Sequence, residues 1–216
     1  MRTVIPLTKK WAFTKQNDAC PTKMPTNWNW VNLPHTWNDI DGQDGDNDYY
    51  RGVGWYAKSI RRADLPGAGC YFLEITGASA SADVYWNGNL LAHHDGGYSV
   101  FRVDLTEHLR EENLLVIAVD NSVNDRVYPQ MADFTFYGGL YRAVNIICTH
   151  ACHFDLMDHG STGIQVTPDV SGRVEIQTRV CGDQDVEVHF TISGQDDGEV
   201  IFSQASSPDT VLTIPA

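Results

Sequence analysis

The segment Ala82-Asp-Val-Tyr-Trp-Asn-Gly-Asn-Leu-Leu-Ala92 holds two short apolar runs separated by Asn87-Gly88. Asn-Gly tolerates the two positive φ angles of a type I′ turn, whose twist matches that of the strands it joins. The segment therefore reads as a β-hairpin, and strand signals continue on both sides of it. Upstream, Gly54–Arg62 mixes apolar and polar residues, and Cys70–Thr76 is aromatic and β-branched. Downstream, alternation from Val100 to Leu105 predicts a half-buried strand. Thr106 is placed to cap a short helical turn over residues 107–110. Asn113–Asp120 is nearly continuous apolar sequence, as expected of a strand covered on both faces. Leu140–Cys148 closes this series. The fold class is all-β.

A second series follows residue 150, with strands expected over 163–167, 173–180, 185–192 and 200–202. Val186, Val188, Phe190 and Ile192 alternate strictly, which gives one face to a core and one to water. Regular short strands with polar turns suggest an immunoglobulin-like sandwich. The strands are too few for a complete one, so its last strands are expected beyond Ala216. Composition also shifts at this point. Residues 151–216 carry 2 basic and 11 acidic residues, and all six tryptophans precede residue 90. Two domains are expected, 1–150 and 151–216.

The chain has 216 residues, 42% of them hydrophobic and 11% aromatic, enough to build a core. A formal net charge of −13 argues against nucleic acid or an anionic membrane as partner. No apolar run is long enough to span a bilayer. The N-terminal sequence lacks signal-peptide character, and five scattered cysteines read as reduced thiols. The expected location is cytoplasmic.

The segment 39–52 packs Asp39, Asp41, Asp44, Asp46 and Asp48 into ten residues. An EF-hand would need glycine at position 6 and glutamate at position 12. Counting from Asp44 places Tyr49 at position 6 and no glutamate in register, so the loop reads first as solvated and acidic. His93-His94 and the group Cys148, His150, Cys152, His153 match no zinc-finger spacing. They read as packing and linker residues. There is no nucleophile elbow, phosphate loop or dinucleotide fingerprint. Trp28, Trp30, Trp37, Tyr49 and Tyr50 flank the acidic loop. Aromatic faces suit the C–H faces of sugars, and the two tyrosines beside aspartates look most like site residues.

Six segments stand in a recognisable order: Asn32–Asn38, Tyr50–Tyr56, Val84–Gly88, His94–Tyr98, Asn113–Asn121 and Asp133–Arg142. Together they resemble the N-terminal part of glycoside hydrolase family 2, which contains many β-galactosidases, β-glucuronidases and β-mannosidases. The resemblance implies a jelly-roll, galactose-binding-like β-sandwich followed by a partial immunoglobulin-like β-sandwich. In the family a (β/α)₈ barrel follows and carries both catalytic glutamates, the acid/base being preceded by Asn. This chain has no Asn-Glu dipeptide, so no catalytic residue is expected in it.

The resemblance further implies that loops of the first domain complete the pocket for the non-reducing sugar. It assigns substrate contact to Asp133, before the Gly138–Arg142 segment, and to Asn47, with Asp48 as the other register. Asp41–Gly52 looks more like β-galactosidases than glucuronidases. The expected partners are a β-galactoside and the barrel of the same chain, with a homo-oligomer an option for the parent enzyme. No cofactor is certain, and Na⁺, Mg²⁺ or Ca²⁺ are options for the full-length enzyme. The alternatives are a β-glucuronidase or β-mannosidase fragment, and a stand-alone carbohydrate-binding module.

Overall fold

A computed structural model of the chain describes residues 2–16, 19–42, 48–129, 132–182, 185–208 and 211–214. It divides into two compact units, Met1–Cys148 and Thr149–Ala216. Each is described by itself.

The first unit is a β-sandwich. Its strands are β1 (Thr3–Pro6), β2 (Trp11–Thr14), β3 (Asn29–Val31), β4 (Val53–Arg61), β5 (Cys70–Ile75), β6 (Ser81–Trp86), β7 (Asn89–Asp95), β8 (Phe101–Asp104), β9 (Glu112–Asp120) and β10 (Val144–Thr149). Six form one sheet in the order β3-β2-β4-β9-β6-β7, and four form the other in the order β1-β10-β5-β8. The order jumps between distant strands, as a jelly roll requires. Trp11, Tyr56, Val84, Trp86, Leu115 and Ile117 of the larger sheet meet Leu73, Ile75, Val103 and Ile146 of the smaller one in a shared core. Fully burying each such side chain stabilises by roughly 1.5–3 kcal/mol relative to exposure.

The hairpin forms as expected. β6 and β7 pair through Trp86↔Asn89, and Asn87 and Gly88 hold φ of 53° and 85°. The Asn87 side chain also accepts the Leu114 N–H at 2.9 Å, tying the turn to β9. β9 is covered on both faces. Leu115, Ile117 and Val119 enter the main core, while Leu114, Val116 and Ala118 pack with Trp55 against Cys20, Met24 and Trp28. One local expectation differs. The short helical turn is a 3₁₀ turn at Thr106–His108, and Asp104 accepts the Thr106 N–H at 2.8 Å. The Thr106 hydroxyl instead accepts the Tyr71 N–H at 3.1 Å, because β5 lies beside it.

The second unit contains β11 (His153–Phe154), β12 (Ile164–Pro168), β13 (Val174–Thr178), β14 (Val180–Cys181), β15 (Val188–Ser193), β16 (Val200–Ser206) and β17 (Val211–Ile214). They pair as β12-β13-β17, β15-β16 and β11-β14. Ile176, Val188, Phe190, Leu212 and Ile214 form its core, and Ile192 packs against them, following the predicted alternation.

Candidate functional site

Strand pairing places the candidate loops together. In the larger sheet the first residue of β4 pairs with the last of β9, Val53↔Asp120. Asp120 also pairs with Ser81, the first residue of β6, which in turn pairs with Asp95, the last of β7. The connections before β4, before β6, after β7 and after β9 therefore leave one end of one sheet. They carry the acidic loop, the 76–80 and 96–100 turns, and the Asp133 segment.

Two fully buried asparagines brace these connections, Asn38 and Asn121, each 0% exposed. Asn38 Nδ2 donates to Asp41 Oδ1 and to the Tyr50 carbonyl, both at 3.0 Å. Its Oδ1 accepts the Gly138 N–H at 2.8 Å. Asn121 Oδ1 accepts the Gly52 N–H at 2.8 Å, and its Nδ2 donates to the Phe136 carbonyl at 3.2 Å. Each amide thus satisfies backbone groups from separate segments. Leaving such groups unpaired in a buried site would cost about 1–3 kcal/mol each.

The Gly138–Arg142 segment is a clamp. A Cβ on Gly138 would sit 2.1 Å from the Trp37 ring, and one on Gly139 would sit 2.5 Å from the His35 carbonyl. Gly139 also has φ of 128°, in the region that favours glycine. Leu140 enters the core. The Tyr141 hydroxyl donates to the Gly97 carbonyl, and Arg142 donates to the Tyr98 carbonyl at 2.9 Å. The motif therefore threads one loop between two others.

A second tie is aromatic. The Phe136 N–H donates to the Tyr49 hydroxyl at 3.2 Å. The Arg51 guanidinium lies 6.0 Å from the Tyr49 ring centroid and 5.8 Å from that of Phe136, and its Nε donates to the Asn121 carbonyl. Beside this group is a shallow cleft lined by Arg51, Ser79, Tyr98, Asn121, Tyr128 and Phe136, among others. Its surroundings expose large aromatic area, with Tyr128 at 75% and Phe134 at 55%.

Asp133 and Asp48 are both exposed, on the two segments joined by the Tyr49–Phe136 contact. Asn47 lies outside the described residues, as do Asp44 and Asp46. Tyr50 is a framework residue: its hydroxyl donates to the Val53 carbonyl and its ring packs edge-on against Trp37. Burial, with Asp120 nearby, pushes its phenol above the usual range. Asp41 is engaged by Asn38 and by the Tyr50 N–H at 3.0 Å. Sequence reasoning did not single out Asn38 and Asn121, although each ends one of the six quoted segments.

Among the described residues no group of three or more His, Cys, Asp or Glu is placed to hold a metal ion. His94 stacks on Phe101 at 4.2 Å, Cys148 is buried, and His153 Nδ1 sits 3.0 Å from the His150 and Ala151 carbonyls.

The architecture defines an all-β sandwich with its candidate chemistry in loops at one sheet end. Its relatives are β-glucuronidases and β-galactosidases of glycoside hydrolase family 2, and the whole chain matches the N-terminal domains of those enzymes. A β-glucuronidase of Bacteroides fragilis is 34% identical over 154 residues, covering 70% of this chain and 22% of that protein. A β-galactosidase of Thermoanaerobacter pseudethanolicus is 26% identical over 187 residues, covering 80% of this chain and 25% of that protein. The crystal structure of an FMN-binding β-glucuronidase from Facaelibacterium prausnitzii L2-6 matches with a TM-score of 0.84 and 35% identity, over 99% of this chain and 33% of that one. No family model matches the chain. The chain spans about a fifth of the length of the curated relatives it matches, 13–25% in each case. Glucuronidases are as prominent among them as galactosidases, so the lean toward galactosidases gains no advantage over its glucuronidase alternative.

Proposed function

We propose that this chain is the non-catalytic, sugar-binding portion of a β-glycosidase, and that its loop cluster forms one wall of the pocket for the non-reducing sugar. The observation that carries the proposal is the brace formed by Asn38 and Asn121, which holds separate loops in one rigid group. Such a brace positions exposed side chains without using them up. Asp133 is the leading sugar contact, with Asn47 or Asp48 as the second. A carboxylate accepting from a sugar hydroxyl contributes about 1.5–3 kcal/mol when the pocket closes over it. If the contact strengthens in the transition state, it raises the rate without any covalent role. The chemistry itself belongs to a catalytic barrel of the same polypeptide. A reducing, cytoplasmic setting is part of the same proposal, supported by the odd number and wide scatter of the five cysteines in the sequence.

Two sugar classes fit, β-galactosides from the acidic-loop motif and β-glucuronides from the identity to the glucuronidases. The test is hydrolysis of p-nitrophenyl β-D-galactoside and p-nitrophenyl β-D-glucuronide. The isolated chain is expected to cleave neither, and the full-length polypeptide carrying it to cleave one of them, which names the sugar. Turnover by the isolated chain, or no glycosidase activity in the full-length polypeptide, overturns the proposal.

A further inference from the structure

The six-stranded sheet carries a hollow on the face turned away from the sandwich core. Register explains it. Ala118 of β9 pairs with Trp55 of β4 on one side and with Asp83 of β6 on the other, and Asp83 pairs with His93 of β7. One row across four strands thus reads Trp55, Ala118, Asp83, His93. The single methyl of Ala118 lies between two larger side chains. The next row brings Asp120 and Ser81, and Tyr85 of the preceding row stacks on Trp55 at 6.0 Å and 29°. Cys20 and Arg126 complete the walls of a cavity of about 380 Å³. That volume lies within the range of about 300–1,000 Å³ usual for small-molecule sites.

The polar groups form a fixed array. His93 bridges two carboxylates, with Nδ1 2.6 Å from Asp83 and Nε2 3.2 Å from Asp95. Serving both requires both ring N–H groups, so the ring here is an imidazolium. Arg126 Nε donates to Asp95 at 2.9 Å, and the Ser81 hydroxyl donates to it at 2.6 Å. Two cations therefore face Asp83 and Asp95, leaving Asp120, one of whose oxygens accepts the Ser122 N–H. An almost balanced set of fixed donors and acceptors favours a neutral polyol over an ion. The Trp55 indole N–H is buried in the floor with no acceptor among the described residues.

We propose that this hollow is a saccharide site, in which a neutral pyranose lays its C–H face on the half-buried Tyr85 ring, which stacks on the buried Trp55 behind it. Its hydroxyls donate to Asp83 and Asp120 and accept from Arg126. Through Arg126 the site shares the connection after β9 with the loop cluster, and its test separates the two. The ¹⁵N-labelled 216-residue chain is titrated with methyl β-D-glucopyranoside and methyl β-D-galactopyranoside, with ethylamine as a cation probe. The reporter is the Trp55 indole N–H resonance, assigned by its loss in Trp55→Phe. At least one saccharide is expected to shift it saturably, with a Kd of about 1–10 mM. Tyr85→Ala and Arg126→Gln should each weaken binding about fivefold or more, equivalent to about 1 kcal/mol. Ala118→Leu should fill the hollow and abolish the shift, while Asp133→Ala should leave it unchanged. An unmoved resonance, a response to ethylamine alone, a shift that survives Tyr85→Ala and Ala118→Leu, or one lost in Asp133→Ala would each overturn the proposal.

Discussion

The two units bury their apolar residues to different depths. In the first, Trp11, Tyr56, Leu73, Leu115, Ile117 and Ile146 are wholly enclosed, at 0% exposure. In the second, the five core residues keep 7–8% exposure, and Val166, Val200 and Ile201 lie open on its strands. Two complete sheets can close over each other, whereas two- and three-stranded sheets cover little more than one layer. Depth of burial, not strand propensity, separates a self-sufficient platform from a lightly held one. The wholly enclosed core of the first unit is the platform on which its loops are held in register.

Substitutions can test that contrast, beginning with the strongest. Gly138→Ala forces a methyl into the Trp37 ring and against Asn121. It should cost about 3 kcal/mol or more and loosen the loop cluster, read by urea denaturation and near-ultraviolet circular dichroism. Ile117→Ala should cost about 4–5 kcal/mol, whereas Leu212→Ala should cost about 2 kcal/mol, at the low end of the range for such deletions, because a core between small sheets collapses further around the deletion. Equal costs would remove the contrast. Asn121→Ala leaves the Gly52 N–H and the Phe136 carbonyl without their amide partner, and should cost about 2–3 kcal/mol. Hydrogen exchange should show faster opening at Gly52 with the central amides of β9 still protected.

The smallest effect is a pH dependence at the hollow. The hydrogen bond to Asp83 raises the His93 pKa against the opposing effect of burial, and Asp95 adds to the rise. A raised folded value contributes stability that is complete below the unfolded value near 6.5 and is lost as pH rises through the folded value. Stability should therefore fall slightly as pH rises past about 6.5, and His93→Gln should flatten that part of the profile. Burial opposes ionisation of Asp95, but bonds from Ser81, Arg126 and His93 outweigh it and hold its pKa at about 2. Its contribution is present above about 3.8 and is lost as pH falls through about 2.

Local chemistry was legible from sequence, and long-range satisfaction was not. The Asn87-Gly88 turn and the doubly covered β9 were readable because their cues lie within a few residues. The capping of the 3₁₀ turn was misassigned because Thr106 found a partner on β5, 35 residues away, while Asp104 took the local N–H. Asn38 and Asn121 could not be recognised as a brace, since their amides meet across 83 residues. Tyr50 resembled a site residue beside its aspartates, yet the loop turns its ring inward against Trp37. Asp133 is nominated by the order of the motifs around it, not by any property of its own neighbourhood.

The exposed carboxylate of Asp133 on the braced loops either meets the sugar or does not. The most direct measurement is kcat/KM of the full-length polypeptide carrying this chain, compared with its Asp133→Ala variant, on whichever p-nitrophenyl glycoside it cleaves. Loss of one charged hydrogen bond of about 1.5–3 kcal/mol predicts a fall of about 10- to 100-fold, with the melting temperature unchanged. A kcat/KM within about twofold of the parent value would contradict the assignment of this loop cluster to the sugar pocket.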